Sequence, residues 1–256
     1  MQTLFHNPLA GPDVLGVTSG ASLGVALITL GTSVLPLWVM SGWGQVSAAV
    51  IGSVVVLLLV IIASIKVPQT VSLLIMGMMF GYFAGAIVSV LQSVSNPDTL
   101  KLFVTWTFGS LSAVGWEYMG VMAPVIGIGL LISFLLQKKL NVFLLGKNYA
   151  TGLGIFVSRL RLIVIVATAL LAGTSTAFTG PIGFIGITIP HIARGLFRTS
   201  NHRVILPASI LCGAIIMLVC DIISQLPGFN GTLPINAVTA LFGAPVIIWI
   251  IWKNKG

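Results

Sequence analysis

The sequence predicts an all-α, polytopic membrane protein with about eight membrane crossings, one of them a short broken helix. Three observations predict it. Charged residues are 6% of the 256, and hydrophobic ones 57% with a mean hydropathy of +1.13, where soluble domains carry about 25% charge. The few charges are separated by uncharged runs long enough to cross a bilayer, which takes ~20 residues per helix. The alternating ten-residue segments of a transmembrane barrel are absent from the sequence. The whole chain, 1–256, reads as a single transmembrane domain.

The gaps between charges outline the elements. Met1–Asp13 lacks the basic and apolar regions of a signal peptide and ends in loop chemistry, Asn7-Pro8 and Gly11-Pro12-Asp13. Residues 14–65 carry no charge, enough for two spans, and they break at Pro36–Gln45, where Trp38 and Trp43 suit a membrane interface. The first span is expected over Val14–Leu35 and the second over Gln45–Ile65, closed by Lys66 and Pro68. A third covers Thr70–Gln92. Ser93–Glu117, with Asn96-Pro97-Asp98 and three further polar or aromatic markers (Lys101, Trp106, Trp116), is an extramembrane segment with a short interfacial helix. Tyr118–Leu136 is the fourth span.

Gln137–Arg161 follows, the longest polar interruption, with Lys138, Lys139, Lys147, Arg159 and Arg161 and no acid. A basic loop between spans belongs on the cytoplasmic side. Apolar residues at three- and four-residue steps, punctuated by Gly146, Gly152 and Gly154, predict one or two short amphipathic helices. From these residues alone they could rest on lipid headgroups or dock a soluble partner.

From Arg161 to Arg194 there is no charge, too long for one ordinary span and too short for two. Gly180, Pro181, Gly183, Gly186 and Pro190 mark the break. A full helix over Leu162–Thr179 and a short broken helix that re-enters the bilayer are expected. Irregular backbone at depth is tolerated only where protein buries it or a cavity is lined by it. A second basic loop, Arg194–Arg203, leads to a span over Val204–Ser224, a turn over Pro227–Pro234 and a last span, Ile235–Trp252. With the Gln137–Arg161 loop inside, all twelve Lys and Arg except Lys101 fall inside, and of the four acids Asp98, Glu117 and Asp221 fall outside. The charge of +8 is thereby explained by topology and needs no nucleic-acid partner.

Within the spans, Gly16, Gly20 and Gly24, and likewise Gly77, Gly81 and Gly85, repeat every four residues. Each set lies on one helix face, where backbones can approach closely. Packing is the expected role, ahead of pore lining or dimerisation.

Little supports chemistry. His191 lacks metal-ligand partners at suitable spacing. Cys212 and Cys220 are separated by about 12 Å of helical rise, too far for a disulfide. Hydroxyls such as Thr174, Ser175 and Thr176 have no base in a nucleophile motif, and no phosphate-binding G-x4-G-K-[ST] is present. Asp221 lies near the outer end of its helix, where a carboxylate costs less than the ~2.5–3.5 kcal/mol of the bilayer centre. The sequence thus implies no catalytic residue, metal or cofactor, and an intramembrane enzyme built on His191 is disfavoured.

Six motifs occur in order: NPLAGPDVLGVTSGASLG (Asn7–Gly24), WTFGSLSAVGW (Trp106–Trp116), LLGKNYATGLG (Leu144–Gly154), AGTSTAFTGPIGFIGITIPHIAR (Ala172–Arg194), NHRVILPAS (Asn201–Ser209) and LPINAVTALFGAPVIIWII (Leu233–Ile251). Together they resemble the FecCD-type permeases, the membrane subunits of type II ABC importers for iron-siderophores, haem and cobalamin, over essentially the whole chain.

The resemblance implies about ten helices in the inner membrane. It also implies a second permease copy or paralogue, with the pathway between the two, an ATP-hydrolysing subunit on the cytoplasmic side, and an extracytoplasmic substrate-binding protein. The family's L-G-E-x-x-A-x-x-L-G coupling pattern falls on Leu145, Gly146, Lys147, Ala150, Leu153 and Gly154, and so favours docking of the ATPase. Relative to the family the chain is expected to lack two N-terminal helices, to carry Lys147 in place of the coupling glutamate, and to place Gln225 and Thr232 where an arginine and a glutamate are common. Outer docking through Asp221 and Gln225 is then expected to use different contacts. The competing expectation is a truncated membrane interaction protein that does not transport.

Overall fold

The computed structural model describes residues 1–31, 42–67, 69–226 and 233–253. The expectations placed on Trp38, Pro68, Thr232 and most of the Pro227–Pro234 turn lie outside the described residues. Among those described every regular element is helical. In chain order they are α1 (Gln2–Phe5), a 3-10 turn (Asp13–Leu15), α2 (Val17–Thr29), α3 (Gly42–Lys66), α4 (Thr70–Val94), α5 (Pro97–Thr107), α6 (Trp116–Leu135), α7 (Gln137–Phe143), α8 (Lys147–Gly152), α9 (Val157–Thr179), α10 (Ile185–Phe197), α11 (His202–Ser224) and α12 (Ile235–Lys253). Five of them, α3, α4, α6, α9 and α11, are long and apolar enough to cross a membrane, and α2, α10 and the Ile235–Ile248 part of α12 are shorter apolar helices.

Helix α2 is the hub, and glycine sets its distances. Its closest neighbour is α3. A Cβ on Gly24 would lie 2.1 Å from the Ala48 carbonyl oxygen, and one on Gly52 would lie 2.0 Å from that of Gly20. A Cβ on Gly77 of α4 would meet the Val14 carbonyl oxygen at 2.4 Å, and one on Gly81 would meet Ser19 Oγ at 3.2 Å. Gly85 lies outside this contact, since a Cβ there would meet nothing within 4 Å. The second stripe thus packs with two of its three glycines. Ser53 Oγ of α3 donates to the Val17 carbonyl at 3.2 Å.

Three boundaries differ from the sequence expectation. The first span is shorter, because the chain reaches α2 through the 3-10 turn and Gly16, whose φ of 73° places it in the left-handed region. The preceding residues cover α10: Pro12 abuts Gly186, Gly11 abuts Ile187, and the Pro8 carbonyl lies 2.9 Å from His191 Nε2. Helix α9 begins at Val157, so Arg159 and Arg161 belong to its first turns and not to the loop. Helix α10 continues to Phe197, which takes Arg194 out of the second basic loop.

At the C-terminal end of α9, Gly180 (φ 75°) stops the helix, and a Cβ there would meet the Trp106 carbonyl oxygen at 2.5 Å. Ser110 N–H donates to the Thr179 carbonyl at 2.8 Å, and Gly183 N–H donates to Asn236 Oδ1 at 3.0 Å. The break after α9 is therefore held against α5 and α12.

Candidate functional site

Two places could serve a solute or a partner: the short helices at the basic end, and a cavity inside the bundle. The basic end is built from α7 and α8. Leu140 and Phe143 of α7 are buried with Leu4 and Phe5 of α1, and Ala150 of α8 is fully buried in the same cluster. These apolar contacts fix the backbone of both helices. Gly146, with φ 106°, turns the chain from α7 into α8, and Gly154, with φ 78°, turns it out again. At Gly154 the bonds Gly154 N–H to Thr151 O (3.0 Å) and Ile155 N–H to Ala150 O (3.0 Å) close the end of α8.

Once Ala150 is buried, the helical period turns its neighbours outward. Leu145 (67% exposed), Tyr149, Leu153 and Phe156 form an exposed apolar surface, beside the exposed Lys147. Arg159 stacks its guanidinium carbon 5.0 Å from the Phe156 ring centre. Of the six residues in the Leu145–Gly154 pattern, Ala150 anchors, Gly146 and Gly154 turn, and Leu145, Lys147 and Leu153 face outward.

The cavity, of about 590 Å³, lies among α6, α9, α10, α11 and the N-terminal segment. Its wall on α9 bears hydroxyls (Thr168, Ser175, Thr176, Thr179), while α11 contributes Ile205, Leu206 and Met217. Asp13 lines it and accepts a hydrogen bond from Thr18 Oγ1 at 2.7 Å. Among the residues of the break, Gly180, Gly186 and Pro190 line this cavity. Pro181 and Gly183 do not, and Gly183 is engaged with Asn236 instead. Pro190 lies inside α10 and cannot donate to the Gly186 carbonyl. Among the described residues there is no cluster of His, Cys, Asp and Glu able to hold a metal ion.

At the opposite end of α11, Gln225 Nε2 donates to Asp221 Oδ2 at 2.7 Å and to Ser112 Oγ at 3.2 Å. The pair named for outer docking is thus bonded to itself and to the segment between α5 and α6. Sequence reasoning missed two residues at the basic end. Asn141 and His202 meet across 61 positions, and their only signals were a polar residue within an amphipathic helix and a histidine after a helix-capping asparagine.

Comparison with known proteins gives the family and the fold. The model of the FecCD transport family matches residues 1–253. The chain is 36% identical over 256 residues to the vitamin B12 import system permease protein BtuC of Citrobacter koseri, covering 100% of this chain and 76% of that protein. The protein of the same description from Klebsiella pneumoniae is 36% identical over 257 residues, with the same shares covered. Among solved structures, an ABC transporter assigned to the metal-chelate type, in an inward-facing conformation, superposes with a TM-score of 0.84 at 31% identity, over 98% of this chain and 79% of that one.

Proposed function

Because the chain belongs to the FecCD transport family, we propose that it carries a bulky metal chelate into the cytoplasm, with a cobalamin-type corrinoid as the favoured cargo. As an ABC importer permease it is a multi-pass inner-membrane subunit. It hydrolyses no ATP itself and depends on an ATPase subunit and a substrate-binding protein. The corrinoid is favoured because relatives named for vitamin B12 import align with the whole chain; iron-siderophores and haem share the chelate character and are the competing cargoes. Transport proceeds by alternating access, with a second permease copy or paralogue forming the other wall of the pathway.

The observation that carries the reading is the apolar surface of Leu145, Tyr149, Leu153 and Phe156 at the basic end. Membrane proteins expose such residues to lipid, but here they flank the exposed Lys147 within the basic stretch that charge asymmetry assigns to the inner side. Each leucine buried against a partner contributes about 1.5–3 kcal/mol, enough for α8 to act as the docking element for the ATPase. Gly146, Lys147, Ala150 and Gly154 shape that element. With the exposed Lys147 on this surface, the facing surface of the ATPase is expected to be acidic or neutral at that point.

The test is reconstitution in proteoliposomes with the ATPase and binding protein. ATP-dependent accumulation of labelled cyanocobalamin, absent for a ferric siderophore and for haem, is the expected result. The double variant Leu145→Asp, Leu153→Asp should lose ATPase association while the bundle keeps its thermal stability. ATPase association without uptake of any chelate would overturn the transport reading in favour of a non-transporting interaction protein.

A further inference from the structure

We infer that Asn141 and His202 form a positioning clamp that carries displacement of the α7–α8 element into α11, and along α11 to its outer end. This rests on the reading of α8 as the ATPase-docking element.

The clamp is a set of bonds with unusual economy. Asn141 sits in α7 and His202 is the first residue of α11. Asn141 Oδ1 accepts from the main-chain N–H of His202 at 2.8 Å and from ring Nδ1 at 2.7 Å. Asn141 Nδ2 donates to Asn201 Oδ1 at 2.8 Å. Asn201 Oδ1 also accepts from Arg203 N–H at 3.0 Å and so caps α11. One amide therefore engages two successive residues of another helix, including one of the orphan N–H groups at that helix start. An amide oxygen only accepts, so Nδ1 of His202 carries the ring proton, and Nε2 is left to accept from Thr3 Oγ1 at 3.0 Å. Contacts through both ends of Asn141 resist rotation as well as sliding, which a single bond would not.

The surroundings suit transmission. His202 is 8% exposed, so its two bonds to Asn141 Oδ1 are partly shielded from water and hold more firmly, while the Asn141–Asn201 bond lies at the surface. Helix α11 is 23 residues long, about 34 Å at 1.5 Å per residue. Pro207 removes the bond to the Arg203 carbonyl, and Asn141 braces that first turn from outside the helix through His202. The far end is fixed too: Gln225 bonds Asp221 and Ser112, and Ser224 Oγ donates to the Leu233 carbonyl at 2.6 Å. A displacement entering at Asn141 leaves α11 at the rim formed by Asp221, Gln225 and Ser112.

Spin-label distances in the reconstituted importer test this. After replacement of Cys212 and Cys220 by serine, one label pair is placed on exposed inner positions away from the docking surface, Lys139 of α7 and Ile65, and a second on exposed outer positions, Leu226 and Trp116. In the otherwise unaltered protein both distances should change on ATP binding. In Asn141→Leu the inner change should persist while the outer change disappears, and solute carried per ATP hydrolysed should fall about tenfold, as expected for the loss of one to two effective hydrogen bonds. His202→Phe keeps the ring shape and the main-chain bond, and should give a partial loss of both. It also serves if Asn141→Leu does not fold. A full outer response in both variants would overturn the clamp alone. No nucleotide response at Lys139 in the protein with Asn141 and His202 intact would overturn the docking reading and the clamp with it.

Discussion

Gly24 and Gly154 are the same residue required for opposite reasons, and they represent two regions built on different physics. Around Gly24 the α2–α3 contact leaves no room: an added Cβ would lie 2.1 Å from the Ala48 carbonyl oxygen. Around Gly154 there is nothing within 4 Å, but the backbone sits at φ 78°. In the first region glycine sets how close two helices come. In the second it sets which way the chain turns after α8. One is a demand of packing, the other a demand of conformation. The packing region stabilises the bundle whatever the protein does, whereas the turning region matters through the surface it presents.

Substitutions can break that contrast if it is wrong. The largest effect should come from Gly24→Ala. Its methyl group must push α2 and α3 apart, at a cost of about 3 kcal/mol or more. The expected outcome is a loss of folded, monodisperse protein in detergent well below the unfolding temperature of the unaltered chain. A normal unfolding temperature would mean that the two helices do not lie as closely as described.

Gly154 should respond to shape in a different manner. Gly154→Val forces a β-branched residue to positive φ, with a strain of about 1–3 kcal/mol confined to the end of α8. Thermal stability of the bundle should be little changed, while ATP-driven uptake should fall severalfold. Gly154→Asn, which tolerates the left-handed region, should keep most of the uptake. Equal loss in both variants would show that the site lacks room, and the contrast with Gly24 would collapse.

The smallest effect should come from Gly85→Ala. Gly85 continues the stripe of Gly77 and Gly81 in sequence, yet it faces open space. Alanine in a helix interior is favoured over glycine by roughly 0.5–1 kcal/mol. The expected outcome is an unchanged or slightly raised unfolding temperature, and a clear drop would place Gly85 in a contact.

Several features of the fold were legible in the chain because each depends on local composition. The basic Gln137–Arg161 stretch predicted one or two short helices, of which two are present with turns at Gly146 and Gly154 while Gly152 ends α8, and the apolar gap before Arg194 predicted a short helix after a break. The candidate site was only partly legible. The Leu145–Gly154 pattern marked α8, but nothing in the sequence joined Asn141 to His202, or Gln225 to Ser112, because side chains so far apart in the chain meet only when three or more helices have taken their places.

The division has a physical basis. Partition of a segment between water and bilayer is close to a sum over its own residues, and charge asymmetry orients the spans in the same additive way. The sequence by itself therefore determined the helical class and the run of apolar helices, and the inner side is what its charge asymmetry predicts for the basic stretch. Contact is not additive: whether a glycine admits a neighbouring backbone, or whether an asparagine grips another helix, depends on which surfaces are brought together. Only the tertiary structure decided that Gly24 faces Ala48, that Gly85 faces nothing, and that α7 holds the start of α11.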